Sequence, residues 1–256
     1  MKGKYPALIF AVIFAMGAAT AVYVRNHERR QGMTEKNSDS IDKGRVVLLH
    51  GLMRTNRSMN RVERALEQAG YRVSNFGYPS TSRPISEIAG LLDKQVIELE
   101  GSGEPINFVT HSMGGIVLRY YLAHYRVKHL GRVVMIAPPN RGSIMAAYMK
   151  SWPPYRWFFG EAGQEIARGP ESVTIDLPVP VCELGIIAGS IGNGKGLNPV
   201  IPGDDDGTVG VDETRVKGMT DFIIVRGQHS LLLLKKEVIR NVIHFLDTGR
   251  FIHPQR

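Results

Sequence analysis

The chain has 256 residues, enough for one sizeable α/β domain with a short appendage. With 43% apolar and 22% charged residues it has the make-up of a folded globular protein, which excludes a disordered chain. The formal charge of +8 would suit nucleic acid, but half of the excess lies in residues 1–45, where eight Lys/Arg face four acids. The remainder is dispersed without a finger, homeodomain or RNP-type motif, so no nucleic-acid partner is expected.

The chain begins MKGKYPALIFAVIFAMGAATAVYVRNHERR, with twenty uncharged residues from Tyr5 to Val24 between Lys4 and Arg25. At helical rise such a stretch covers about 30 Å, the thickness of a hydrocarbon core. Residues 1–24 therefore read as a single-pass membrane anchor, with a cleaved signal peptide as the alternative offered by the small residues Ala19-Thr20-Ala21. The length of the stretch and the arginines that follow it favour the anchor. The expected location is a membrane, with the rest of the chain on its extracytoplasmic side. Residues 25–43 are polar and read as a tether, and residues 44–256 as the folded domain.

From Arg45 onward, strand-like apolar runs alternate with helical patterns. The runs are RVVLLHG (45–51), YRVSNFGY (71–78), INFVTHS (106–112), GRVVMIAPP (131–139), VPVCELGIIAG (179–189) and DFIIVRG (221–227). Between and after them, residues 60–70, 85–101, 115–125 and 231–246 repeat apolar side chains at helical spacing. Strand runs without polar alternation, each followed by a helix, predict a mostly parallel sheet covered on both faces, an α/β fold. Cys182 is the only cysteine, so the chain holds no internal disulfide and no cysteine-based metal site, and it reads as a small buried strand residue.

The segment FVTHSMGG stands where the third strand turns into a helix. Such a turn exposes a serine hydroxyl above the sheet edge and forces unusual backbone angles on it, which makes Ser112 the candidate nucleophile. A nucleophilic serine requires a base. His27 falls in the tether and His253 in the tail; His124, His129 and His244 sit in or beside helices; His50 ends the first strand and His111 adjoins the serine. His229 remains, between the last strand and the last helix, at the edge where Ser112 also emerges.

The carboxylate is expected from PGDDDGTVGV (202–211). Three adjacent aspartates would repel one another in a buried site, so at most one is expected to face inward. Asp206 is favoured, because Gly207 follows it and the chain then returns to apolar residues, with Asp204 and Asp205 expected in solvent. A calcium loop is disfavoured, since the alternating oxygen ligands and terminal glutamate of an EF-hand are missing. The oxyanion donors are expected from the backbone of Met113, after the nucleophile, and of Leu52, after the His50-Gly51 turn.

The order Ser112, Asp206, His229 with VVLLHGL upstream resembles the α/β-hydrolase superfamily, most of all small bacterial lipases and esterases. Their pattern of an HG turn, HSMGG, D-x-x-V and H-x-x-L is met by His50-Gly51, His111 to Gly115, Asp206 to Val209 and His229 to Leu232. APPNRGS (137–143) also resembles the segment after the strand that follows the nucleophile helix. The likeness covers residues 45–247, and Thr110 departs from it by replacing the first glycine of G-x-S-x-G. It implies an α/β-hydrolase fold and cleavage of carboxylic esters through an acyl-enzyme, with a small-molecule or lipid ester as substrate and neither cofactor nor metal. A thioesterase, amidase or acyltransferase would use the same residues, and a non-catalytic membrane-tethered binding module is the reading from a different class.

Residues 144–160, IMAAYMKSWPPYRWFFG, hold both tryptophans of the chain. Segment 144–177 is expected to form a cap between two strands. Its aromatic part is either a wall for an acyl chain or a core-packing helix.

Overall fold

The computed structural model describes residues 43–101 and 103–253. The apolar segment 5–24 and all of the tether but Lys43 lie outside the described residues. Among those described, no helix is long and apolar enough to cross a membrane.

Six strands, β1 (Arg45–Leu49), β2 (Arg72–Phe76), β3 (Ile106–His111), β4 (Leu130–Ile136), β5 (Leu184–Ser190) and β6 (Asp221–Arg226), form one sheet in the order β2-β1-β3-β4-β5-β6. Every neighbouring pair is parallel. Parallel neighbours need crossovers, and helices α1 (Asn60–Gln68), α2 (Ile85–Glu100) and α3 (Met113–His124) supply the first three. The β4–β5 connection carries α4 (Ile144–Met149) and α5 (Pro153–Glu165). The short α6 (Val211–Thr214) precedes β6, and α7 (Lys236–Thr248) closes the domain.

The uninterrupted apolar strands follow from burial on both faces. Val46, Val47, Leu48 and Leu49 of β1 point alternately to opposite faces, yet none is exposed. Val46, Leu48, Val109, Val134 and Ile187 on one face pack with Val62 and Leu66 of α1 and Val238, Val242 and Phe245 of α7. These helical positions recur every three or four residues, so each helix turns one stripe inward. On the other face α2 and α3 pack against each other, and α3 lies along β1 and β3.

Two boundaries differ from the sequence expectation. The fifth strand begins at Leu184, five residues later than the apolar run suggests. Pro178 and Pro180 have no N–H to give to a ladder, so the run starts as an irregular approach. Cys182 consequently lies outside the strand and is half-buried. The last helical pattern is also divided: His229–Leu234 forms a 3-10 turn, and α7 starts at Lys236. Leu232 and Leu233 of that turn are buried, so the four-leucine run serves the core without being α-helical.

Candidate active site

The chain moves from β1 outward to β2 and then returns to the opposite flank of β1 as β3. The loops leaving β1 and β3 therefore diverge, and a crevice opens at their carboxyl ends, the place where open parallel sheets bind ligands. Gly51 and Leu52 follow β1 there, and Ser112 follows β3.

Ser112 has φ 55° and ψ −127°, a conformation that costs a non-glycine residue about 1–3 kcal/mol. The turn is held because its N–H donates to the Ile136 carbonyl at 2.9 Å and its carbonyl accepts from the Gly115 N–H at 3.0 Å. Close approach makes Gly114 necessary, since a Cβ there would lie 2.6 Å from the His50 carbonyl oxygen. Gly115 plays a related part for Thr110: a Cβ would come within 3.3 Å of the Thr110 hydroxyl and 3.0 Å of Pro138. The β-branched departure from the glycine pattern is thus accommodated by Gly115, although the buried Thr110 hydroxyl has no hydrogen-bond partner among the described residues.

The sequence-predicted base and carboxylate meet. His229 Nδ1 lies 2.7 Å from Asp206 Oδ2, and the His229 backbone N–H donates to the Asp206 carbonyl at 2.9 Å. Asp206 is fully buried, and its other oxygen accepts the N–H groups of Thr208 (3.0 Å) and Val209 (2.8 Å). With Oδ1 so occupied, Oδ2 is the acceptor that faces His229 Nδ1. Gly189 of β5 makes room, since a Cβ would stand 2.7 Å from Asp206 Cβ.

The neighbouring aspartates correct the solvent-facing expectation. Asp205 is fully buried, and its carboxylate accepts the N–H groups of Leu197, Asn198 and Gly207. Asp204, half-buried, accepts the Ser190 hydroxyl and the N–H groups of Ile191 and Gly192. Backbone donors replace water around these charges, which is how adjacent carboxylates share one buried loop. Burial, against those donors and with Asp206 nearby, raises the Asp205 pKa.

On the β1 side, a Cβ at Gly51 would lie 3.0 Å from Ser112 Cβ, so the HG turn runs directly against the serine and Leu52 comes next. Met113 is the first residue of α3, where an N–H has no partner within the helix. His50 does not face the chemistry. Its Nδ1–H donates to the Gly51 carbonyl at 2.9 Å, its Nε2 accepts the Tyr78 N–H at 3.4 Å, and its ring stacks on Tyr78 at 3.9 Å. The Tyr78 hydroxyl donates in turn to the His50 carbonyl. His50 thus braces the turn, and burial lowers its pKa and keeps it neutral. His111 is likewise structural: buried, its Nε2–H donates to the His229 carbonyl at 3.2 Å, and burial first, then the charges of His229 and Arg54, hold its pKa well down.

Tyr78 is a supporting residue that sequence reasoning missed. Its signal was an aromatic residue just past the end of β2, at the same edge as the HG turn. Met53 (φ 56°) and Ala137 (φ 47°) share the left-handed backbone of Ser112. These three are the non-glycine residues with positive φ among the described residues, and they follow β1, β3 and β4 at that edge.

The segment between β4 and β5 divides its aromatics. Tyr155 and Phe159 of α5 are buried and stack at 4.5 Å, whereas Trp157 is 80% exposed with its edge against Phe158. At Gly160 (φ 62°) the helix kinks across the loop after β2, where any Cβ would overlap the Thr81 carbonyl. Glu165 then accepts the Ile85 N–H at 2.7 Å, and a Cβ at Gly163 would touch Leu52 at 3.4 Å. The segment thus lies over the loops after β1 and β2.

A parallel sheet with a strained serine turn at its switch point and a histidine–aspartate pair from later loops is the arrangement of an α/β hydrolase. Residues 46–186 match the Alpha/beta hydrolase family, and the chain belongs to it. No curated protein matches the sequence. Among solved structures, the chain is similar to the mature form of the Bacillus licheniformis lipase BlEst2, with 19% identity and a TM-score of 0.66 over 86% of this chain and 96% of that one. It is also similar to the metagenomic carboxyl esterase MGS0156, with 17% identity and a TM-score of 0.58 over 79% of this chain and 68% of that one. A third likeness is to the phospholipase PlaB from Legionella pneumophila, with 16% identity and a TM-score of 0.56 over 82% of this chain and 60% of that one. At these identities the likeness is one of fold.

Proposed function

We propose that the protein is a serine hydrolase that cleaves carboxylic esters through an acyl-enzyme, held at a membrane by residues 1–24 with its domain on the extracytoplasmic side. The observation that carries the reading is the 2.7 Å contact of His229 Nδ1 with the buried Asp206 carboxylate, at the same sheet edge as the strained Ser112 turn. In this reading Ser112 Oγ attacks the ester carbonyl while His229 Nε2 takes its proton. The Leu52 and Met113 N–H groups receive the developing oxyanion, a contribution of several kcal/mol from two fixed donors. The imidazolium, stabilised by Asp206, then protonates the leaving alcohol. Water enters by the same base and releases the acid. The α4–α5 segment over Leu52 forms a cap that walls the acyl side, a role supported by the closeness of Gly163 to Leu52, which a Cβ there would meet at 3.4 Å.

One experiment tests the reading on the full-length chain. Membranes carrying the protein are washed with carbonate and treated with a fluorophosphonate probe. Label is expected in the pellet and on Ser112. Ser112→Ala is expected to abolish it and to lower ester turnover by several orders of magnitude. Undiminished labelling of Ser112→Ala would mean another nucleophile, and wild-type protein inert to both probe and esters would leave the non-catalytic module. Release by carbonate would favour the cleaved signal peptide.

A further inference from the structure

Among the described residues, the sheet edge that holds Ser112 carries a cation without a counter-ion. Arg54 lies two residues beyond Leu52, and its Nη2 donates to the Ser230 hydroxyl at 2.5 Å. Ser230 directly follows His229. In the sheet, β1 and β6 are separated by β3, β4 and β5. This bond joins the loop after β1 to the loop after β6. Arg54 is also near enough to His111, the residue before Ser112, for its charge to lower the His111 pKa.

Arg54 is half-buried, and desolvation alone lowers its pKa. No carboxylate lies within ion-pair distance of it among the described residues, whereas Arg45, Arg72, Arg83, Arg132 and Arg215 each have one. Arg119, more deeply buried, is different in kind, since both of its terminal nitrogens donate to carbonyls, those of Asn140 and Leu177, and only its Nε is without a partner among the described residues. Arg54 has five N–H donors and gives one to a hydroxyl.

The surroundings do not neutralise it. The histidines of the edge, His50, His111 and His229, are bases, and the Arg54 charge helps to depress the His111 pKa. The acids of the later loops are already engaged: Asp206 by His229 and two backbone N–H groups, Asp205 and Asp204 by their own loop, Glu213 by the N–H groups of Ile144 and Gly210. A half-buried charge without a partner is costly, and guanidinium is the side chain best shaped to hold carboxylate or phosphate.

We infer that Arg54 receives an anionic group, carboxylate or phosphate, carried by the ester substrate close to its scissile carbonyl, so that the protein prefers anionic esters to neutral ones. This inference rests on the hydrolase reading above. Arg54 is a specificity residue in it, and the chemistry at Ser112 proceeds without it.

The test compares three esters on the full-length protein: phenyl butyrate, which is neutral; phenyl hemisuccinate, with a carboxylate on the acyl side; and 4-carboxyphenyl butyrate, with a carboxylate on the alcohol side. Wild-type kcat/KM should favour at least one anionic ester over the neutral one by about tenfold or more, the worth of one charge-assisted contact. Which of the two is favoured locates the anion. Arg54→Gln keeps a donor for Ser230 but loses the charge; it should erase the preference while leaving phenyl butyrate within about threefold of wild type. Arg54→Lys, with the charge but not the fork, should retain part of the preference.

Equal losses on all three esters in Arg54→Gln would overturn the inference and make Arg54 a positioning residue for the His229 loop. Absence of any preference in the wild type would overturn it without recourse to a variant. A second readout needs no turnover: inorganic phosphate should raise the wild-type melting temperature and fail to do so in Arg54→Gln. Phosphate stabilisation with no ester cleaved would uphold the anion site and overturn the hydrolase reading. Cleavage of all three esters at similar rates without phosphate stabilisation would do the reverse.

Discussion

Asparagine at position 206 or at position 205 differs from the native side chain by the same atom, yet the two changes should fail in different ways. At 206, Oδ1 is claimed by the N–H groups of Thr208 and Val209, so the amide oxygen of Asp206→Asn takes that place and its NH2 faces His229 Nδ1. A donor there forces the proton onto Nε2, the atom that should accept the Ser112 proton. The hydrogen bonds of the loop are otherwise kept, so the fold is little affected. Loss of the correct tautomer is worth about 10⁴ in rate, or about 5.5 kcal/mol of barrier.

At 205, both carboxylate oxygens accept backbone N–H groups and neither touches His229. Asp205→Asn sets its NH2 against the Asn198 N–H and loses a charge-assisted bond, a stability loss of about 1–3 kcal/mol with kcat/KM of the folded fraction within a few-fold of wild type. The assay is kcat/KM on a short-chain p-nitrophenyl ester beside the melting temperature of each variant. A crippled Asp205→Asn at unchanged melting temperature would place the reacting carboxylate one residue earlier. An active Asp206→Asn would refute the tautomer argument altogether.

Thr110→Val should raise the melting temperature, because it replaces a buried hydroxyl without a partner by a methyl group of like volume; about 1 kcal/mol is expected in a denaturant titration, and a loss would mean that the hydroxyl is bonded in solution. Glu213 gives a pH dependence. Burial pushes its carboxyl up to about 6 from 4.5, so the folded state keeps a proton that the unfolded chain has lost. Its contribution is fully present below about pH 4.5 and is lost as pH rises through 6, about 2 kcal/mol in all. Urea midpoints of wild type and Glu213→Gln at pH 4.5 and pH 7 should diverge by that amount in favour of the variant at the higher pH, and a gap that does not change with pH would contradict the assignment.

The sheet was legible because its strands are buried on both faces and so read as unbroken apolar runs. The contact of His229 with Asp206 was legible for a related reason: each follows a strand at the same edge, and Gly207 marks where the loop turns back. Asp205 was not legible in the same way. Like charges need not go to water, since Asp205 is buried among backbone N–H groups, a solvation that depends on loop geometry and leaves no periodic trace. The bracing of His50 by Tyr78 and the bond from Arg54 to Ser230 were hidden for the same cause, since both join loops that only the sheet order brings together. The aromatic segment was ambiguous because it does both things at once: Tyr155 and Phe159 pack inward, and Trp157 faces out.

The proposed site draws on every loop at the carboxyl edge: Leu52 and Arg54 after β1, Tyr78 after β2, Ser112 after β3, the α4–α5 segment after β4, Asp206 after β5 and His229 after β6. A site assembled from six loops would be imprecise if side chains alone held it. Here the fixing contacts are largely backbone: Ser112 N–H to Ile136, His229 N–H to Asp206, and the N–H groups of Thr208 and Val209 to the Asp206 carboxylate. Glycines 114 and 189 let main chain and carboxylate approach to distances that any Cβ would forbid, and at Gly51 a Cβ would crowd Ser112 and His111. The left-handed angles at Met53, Ser112 and Ala137, each costing about 1–3 kcal/mol, are tolerated because these contacts over-determine the edge. In the proposed hydrolysis, stability is given up at the edge where donors and base would have to point at a transition state before the substrate arrives, and that is where electrostatic stabilisation gains most from being built in advance.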